Sequence, residues 1–185
     1  MVLTSAAFRG VVFRQARIRF NDSFSLKDIS WSIKPGQVWA ILGASGSGKS
    51  ALAAAVAGAG ELLAGERQGV VADAGVVSLE AQAALLERER LRDDSDLTDV
   101  VSPGTPAREM LDEVCHDPGL QAELIALFRL EGLLDRGFRK LSSGEARKLL
   151  LIRALTSKPG MLIIDGPYEG LDAHTVPLVR DLLRR

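Results

Sequence analysis

The chain has 185 residues, enough for one α/β domain with a sizeable core, and its formal net charge of −1 argues against direct nucleic-acid binding. Hydrophobic residues make up 46% of the chain, but no apolar run reaches the roughly 18 residues that predict a membrane span. The single cysteine, Cys115, excludes an internal disulfide, and without a signal-peptide pattern the cytoplasm is the expected compartment.

The first part of the chain has strand patterns. Apolar residues alternate with polar ones over Val11–Phe20 and again over Phe24–Ile33, which predicts two half-buried strands. A turn at residues 34–37 leads to an apolar run, Val38–Leu42, that predicts a strand. Residues 58–69 contain several glycines and predict a loop.

The middle of the chain changes to helical patterns. A broken strand is predicted over Val70–Leu79, a charged helix over Ala81–Arg92 and a polar loop over 93–106. Thr105 is expected to cap a helix that has Pro106 in its first position.

A further helix is expected over Leu120–Leu130, with Leu124, Leu127 and Phe128 on one face. We therefore expect one domain over residues 1–185, with a core (1–80 and 141–185) and an inserted helical subdomain at about 81–140.

A phosphate-binding loop follows the strand predicted at Val38–Leu42. Eight residues fit the pattern G-x-x-x-x-G-K-[ST]: Gly43, Ala44, Ser45, Gly46, Ser47, Gly48, Lys49 and Ser50. An alanine-rich helical run begins at Ala51, so the motif lies between a strand and a helix. Backbone N–H groups and the helix N-terminus would attract phosphate, Lys49 would reach the β- and γ-phosphates, and Ser50 would ligate Mg²⁺. An ordinary glycine-rich turn is the alternative, which the lysine, the serine and the flanking elements disfavour.

A second motif is an apolar strand that ends in an acid, Met161–Asp165. A continuous apolar run is typical of a buried parallel strand, and α/β folds bind ligands at the carboxyl ends of such strands. Asp165 would then hold Mg²⁺, directly or through water. A solvated acid at the end of a core strand is the alternative, and the preceding loop motif makes the metal role the better hypothesis.

A third motif, Leu141, Ser142, Ser143, Gly144 and Glu145, precedes another helical run. It resembles the L-S-G-G-Q signature of the ATP-binding-cassette (ABC) ATPases, and the order of the three motifs is also similar to that family over nearly the whole chain. Four segments resemble the ModF subgroup, which is associated with molybdate transport and often has two cassettes per chain: Gly65–Gln68, Leu134–Arg136, Leu141–Lys148 and Tyr168–Asp172.

The resemblance implies an α/β P-loop NTPase fold of ABC type. The expected architecture is a mostly parallel core sheet, an N-terminal antiparallel β-subdomain and the helical insertion. It also implies ATP and Mg²⁺ as cofactors. The expected partners are a second cassette, as a homodimer or in tandem, and a membrane permease that could bring the chain to the inner face of the membrane. The signature residues would complete the nucleotide site of the opposite cassette, and a plain helix N-cap at Ser142 or Ser143 is the alternative or additional role.

Other site residues follow from the same resemblance. Phe20 lies near the position of the adenine-stacking aromatic, although it could equally be a core residue. Glu80, with Gln82 two residues later, occupies the place of the residue that contacts Mg²⁺ and the attacking water; which of the two serves stays open. Asp172 corresponds to the acid of the D-loop, which contacts the opposite subunit in the family.

The chain departs from the family pattern after Asp165. Gly166 stands where the family has a glutamate that polarises the attacking water, so hydrolysis is expected to be weak although ATP binding survives. Glu169 is a conceivable substitute, but its position beyond Pro167 argues against it. The family's switch histidine would lie beyond Arg185, and the chain is therefore interpreted as a truncated cassette.

Two hypotheses remain from the sequence. The first is a transport ATPase that attacks the γ-phosphate with water. The second is a nucleotide-dependent dimerisation or regulatory module without significant turnover.

Overall fold

The computed structural model describes residues 1–4, 9–69, 74–92 and 102–183. The chain forms two compact units, Met1–Val76 with Pro159–Asp165 and Val77–Lys158 with Gly166–Arg185. The strands are β1 (Val2–Thr4), β2 (Val11–Asn21), β3 (Phe24–Ile33), β4 (Val38–Trp39), β5 (Glu61–Gln68), β6 (Gly75–Val77) and β7 (Met161–Ile164). The α-helices are α1 (Lys49–Val56), α2 (Leu79–Leu91), α3 (Ala107–Asp112), α4 (Pro118–Phe128), α5 (Ser143–Thr156) and α6 (Thr175–Leu182).

The first unit contains an antiparallel three-stranded sheet in the order β3-β2-β5. Its central strand buries alternate residues, as the sequence predicted for a half-buried strand. The inward side chains belong to one apolar core, which comprises Val2, Val11, Phe13, Ala16, Ile18, Ile33, Ala55, Val56, Met161 and Ile163.

The loop predicted over residues 58–69 is wrong, because Glu61–Gln68 is strand β5. Its sequence lacks the alternation that predicts a strand, and nearly all of its residues are exposed. Pairing with β2 determines its conformation, and two ion pairs join the strands, Arg14 to Glu66 at 2.9 Å and Arg19 to Glu61 at 2.6 Å. Tertiary pairing therefore overrides the local sequence preference here.

A four-stranded sheet has the order β4-β1-β7-β6. Strand β1, which the sequence did not predict, is antiparallel to both β4 and β7, so those two strands run in the same direction. Strand β4 ends at Trp39, earlier than the predicted Leu42, because only Val38 and Trp39 have partners in the short β1. The strand predicted over Val70–Leu79 is shorter, at Gly75–Val77, and residues 70–73 lie outside the described residues.

The second unit is mainly helical. Helix α2 starts after Ser78, whose hydroxyl accepts a hydrogen bond from the Ala81 N–H at 2.9 Å. Thr105 does not cap α3: the helix starts at Ala107, Pro106 takes the N-cap position, and the Thr105 N–H donates to the buried Glu89 carboxylate at 2.6 Å. Residues 93–101 of the predicted polar loop lie outside the described part of the chain.

Helix α4 begins at Pro118, and Asp117 caps it through the Leu120 N–H. Helix α5 is largely buried, so it forms the centre of this unit. None of the helices formed by the described residues has the length and apolar character needed to cross a bilayer.

Candidate functional site

The loop over residues 43–50 is held by backbone geometry that requires glycine. Gly46 (φ +78°) and Gly48 (φ +88°) adopt left-handed conformations, and Gly48 is the N-cap of α1. A Cβ on Gly43 would lie 2.7 Å from the Ser47 hydroxyl oxygen, so the Ser47 side chain would have to move. At Gly46, where nothing lies within 4 Å of the space for a Cβ, the positive φ alone favours glycine.

Lys49, the first residue of α1, folds back over this loop. Its ammonium donates to the carbonyl oxygens of Gly43 at 3.0 Å and Ala44 at 2.7 Å. A phosphate oxygen is a stronger acceptor for an ammonium group than a carbonyl, so an anion can replace these bonds. Ser50 follows in the first helical turn with an exposed side chain, and Ala51 is half-buried behind it.

Asp165 follows the fully buried strand β7 and belongs to the same compact unit as the loop. The N-terminal ammonium of Met1 donates to the Ile164 carbonyl at 2.6 Å. Burial lowers the pKa of this amine, and the negative charge of Asp165 acts in the opposite direction.

Ser50 and Asp165 supply the oxygen ligands that Mg²⁺ prefers. Within the described ranges, no group of three or more His, Cys, Asp or Glu side chains could hold a metal by itself.

Two aromatic rings lie in the first unit near the loop. Phe20 is half-buried against the core and lies 6.1 Å, centroid to centroid, from Phe24. Phe24 is 40% exposed, and its Cζ would be 3.9 Å from a Cβ on Gly48. The sequence analysis missed Phe24, whose ring is more accessible than that of Phe20 and borders the glycine loop.

The signature segment forms the N-terminus of α5. Ser142 is the N-cap and accepts a hydrogen bond from the Glu145 N–H at 3.3 Å, while the Glu145 carboxylate accepts one from the Ser142 N–H at 2.7 Å. This reciprocal pair is a capping box. The N-cap role considered for Ser142 is therefore present in the structure, and Ser143 is the first helical residue.

Gly144 lies against the loop that contains Asp172. A Cβ on Gly144 would be 2.9 Å from the Gly170 carbonyl oxygen, so glycine is needed here for close backbone packing.

Gln82 and Glu80 both lie in the first turn of α2, but their surroundings differ. The Gln82 amide donates to the Ser143 carbonyl at 3.1 Å, and thus joins α2 to the signature segment. The Glu80 side chain is exposed. Neither arrangement decides which residue serves a metal or a water molecule, and both assignments stay predictions.

Asp172 lies just before α6, whose N-cap is His174, and it pairs with α5. It accepts hydrogen bonds from the Thr175 N–H at 2.8 Å and from the Thr175 hydroxyl, and it forms an ion pair with Lys148 at 2.7 Å. The Lys148 ammonium, followed by the hydrogen bonds from Thr175, holds the pKa of Asp172 well below its usual range. The carboxylate is therefore fixed in its ionised form.

The segment after Asp165 turns sharply. The Gly166 carbonyl accepts hydrogen bonds from the Glu169 N–H at 3.0 Å and from the fully buried Arg147 side chain at 2.9 Å. Consecutive cations of α5, Arg147 and Lys148, thus hold both ends of the segment from residue 166 to residue 172. Sequence reasoning missed this role, although their adjacency on a helix that follows the signature could have indicated it.

Comparisons with known proteins give the family. A model described as "ABC transporter" matches residues 26–169. The chain is 40% identical over 164 residues to the ABC transporter ATP-binding protein ModF of Escherichia coli K12, and this match covers 85% of the chain and 33% of that protein.

The chain is also 31% identical to the zinc import ATP-binding protein ZnuC of Yersinia enterocolitica, over 95% of the chain and 64% of that protein. It thus spans one third to somewhat less than two thirds of these relatives. A solved ATP-binding subunit of an ABC transporter has the same fold, with a TM-score of 0.68 and 18% identity over 92% of the chain and 72% of that structure. The predicted α/β fold of ABC type is confirmed, and the chain belongs to the ABC transporter family of ATP-binding domains.

Proposed function

We propose that this chain is a nucleotide-binding cassette that binds Mg·ATP at residues 43–50 and hydrolyses it to drive transport. The observation that carries the proposal is the conformation of the glycine loop. Gly48, the left-handed N-cap, places the N-terminus of α1 at the end of the loop. The Lys49 ammonium donates to two loop carbonyls, and phosphate can replace both bonds.

The proposed chemistry is attack of water on the γ-phosphate. Ser50 and Asp165 would hold Mg²⁺, which supplies charge stabilisation for the transferred group when it is bound. Phe24 or Phe20 would contact the adenine ring. Since Gly166 has no proton acceptor, we propose that turnover is slow unless a carboxylate from another residue takes over this role.

The first test is calorimetric titration of Mg·ATP into the parent chain and Lys49→Ala. The exposed Lys27→Ala serves as the control, because it removes an equal charge from β3, outside the loop. We expect Lys49→Ala to weaken ATP binding by at least about 10–100-fold, as for a lost charge-assisted bond, and Lys27→Ala to leave it unchanged. Equal affinity in all three proteins, or no binding by the folded parent, would refute the proposal.

The partners would be a second cassette and a membrane permease, which would keep the chain at the cytoplasmic face of a membrane. Ser142, Gly144 and Asp172 would face the nucleotide of the second cassette. The cargo would be an oxyanion, with molybdate first because of the four segments that resemble the ModF subgroup. The test measures the uptake of molybdate and of zinc by cells that contain either the parent or the Lys49→Ala chain. Molybdate uptake that depends on Lys49 would support the oxyanion, and zinc uptake that depends on Lys49 would support the cargo named for the zinc import relative.

A second candidate function is an ATP-dependent dimerisation module without turnover. Gly166 favours it, because binding does not need a general base. Size-exclusion chromatography with light scattering, combined with phosphate release, separates the two. ATP-induced dimers with no phosphate release above that of Lys49→Ala would support this module, and release that depends on Lys49 would support the ATPase.

A further inference from the structure

The space beside Gly166 is filled by a carboxylate from further along the chain. Gly166 has φ +58° and no side chain. A Cβ placed on it would overlap the carboxyl carbon and Oε2 of Glu169, and would lie 3.0 Å from its Cγ. The acid group of Glu169 therefore occupies the position in which a side chain at residue 166 would begin.

A β-turn brings Glu169 to this place. The Glu169 N–H donates to the Gly166 carbonyl at 3.0 Å, which closes a four-residue turn with Pro167 at its second position. Proline is favoured there because its ring fixes φ near the value that the turn needs. The sequence argument that Pro167 separates Glu169 from Gly166 is thus wrong, since this proline helps the chain to return.

The turn is also anchored from outside. Arg147 is completely buried and donates to the same Gly166 carbonyl at 2.9 Å. Gly166 is joined by a trans peptide to Asp165, so their Cα atoms are about 3.8 Å apart. The Glu169 carboxyl group therefore lies beside Gly166, and the Glu169 side chain is exposed to water.

We propose that Glu169 is the proton acceptor for ATP hydrolysis, in place of a side chain at residue 166. This inference depends on the proposed function. The water oxygen would form a bond to the γ-phosphorus while the bond from that phosphorus to the β–γ bridging oxygen breaks, which releases ADP. The water proton would pass to the Glu169 carboxylate and then to solvent.

The test is phosphate release under saturating Mg·ATP by the full chain and Glu169→Gln. The amide keeps the shape of the side chain but accepts no proton, so we expect kcat to fall at least about 100-fold while ATP affinity stays within about twofold. Glu123→Gln is the matched control, because Glu123 is an exposed glutamate on α4, and it should keep the parent rate.

Moving the carboxylate from residue 169 to residue 166 gives a second, independent test. Gly166→Glu alone puts a non-glycine residue at φ +58° and must displace the end of the Glu169 side chain, so it should not raise the rate. The double variant Gly166→Glu/Glu169→Ala clears that space, and it should recover at least about tenfold of the rate lost in Glu169→Ala, within the range that a general base contributes. If the double variant recovers the rate and binds ATP as tightly as the parent, a carboxylate at residue 166 can replace the one at residue 169.

The outcomes separate this inference from the proposed function. ATP binding that depends on Lys49, together with equal turnover in the parent and Glu169→Gln, overturns the inference alone. Binding without turnover above that of Lys49→Ala also overturns it and leaves the dimerisation module. No ATP binding by any folded variant overturns the proposed function and the inference together.

Discussion

The glycine loop at residues 43–50 and the segment at residues 166–172 are held in opposite ways. The loop is exposed, and its shape comes from glycine backbone conformations and two bonds from Lys49 to loop carbonyls. The other segment is fixed by side chains, with Arg147 at its start and Lys148 at its end. Substitutions in the loop should therefore affect ligand binding more than folding, whereas substitutions around the second segment should affect folding first.

Arg147→Met gives the largest expected loss of stability. It removes a fully buried guanidinium that donates to the Gly166 carbonyl, and a hydrogen bond to a charged group contributes about 1.5–3 kcal/mol. We expect the free energy of unfolding in urea to fall by that amount. Arg108→Met, which removes a half-exposed partner of Asp135, should cost below about 1 kcal/mol. If Lys49→Ala destabilised the protein as much as Arg147→Met, the proposed difference between the glycine loop and the segment at residues 166–172 would be wrong.

Ser142→Ala should have a smaller effect. It removes one half of the capping box at α5, and such substitutions cost about 1 kcal/mol. A double-mutant cycle with Glu145→Gln measures the coupling of the two residues, and Ser143→Ala is the control at the adjacent serine. Strictly additive losses for Ser142→Ala and Glu145→Gln would contradict the reciprocal cap.

The smallest effect concerns acid stability. Lys148 lowers the pKa of Asp172, so the carboxylate stabilises the folded state above its unfolded pKa of about 3.9, and this contribution disappears as the pH falls through the lower folded value. Asp172→Asn keeps an oxygen that can accept the hydrogen bond from the Thr175 N–H but removes the charge. The free energy of unfolding of this variant should be lower than that of the parent at pH 6. The two values should approach each other as the pH falls below about 4.

The Asp172 side chain is 52% exposed, so water and salt screen the ion pair and the difference should be small. Urea unfolding at pH 6 and pH 3, with and without added salt, would measure it. A difference that stays constant over this pH range would exclude the ion pair as its cause.

Local sequence patterns predicted the parts of the fold that depend on neighbouring residues. The glycine loop before α1, the buried strand before Asp165 and the cap at Ser142 each follow from adjacent residue types. The family resemblance then gave the fold class, which the comparisons confirm. The assignments of individual site residues stay predictions, because no ligand contact tests them.

The parts that were missed depend on residues distant in sequence. Strand β5 has no strand pattern and forms through pairing with β2. Strand β1 takes its place between β4 and β7 in the same way. For Glu169 the sequence does contain a signal, since Pro167 is in the position that favours a turn back to Gly166.

The close approach of Gly144 to the Gly170 carbonyl affects how a substitution of the signature glycine should be interpreted. Here even an alanine would place its Cβ 2.9 Å from the Gly170 oxygen and displace the loop that leads to Asp172. Lost activity in such a variant would not identify a nucleotide contact, whereas Ser142→Ala leaves that backbone packing intact and is the more informative probe.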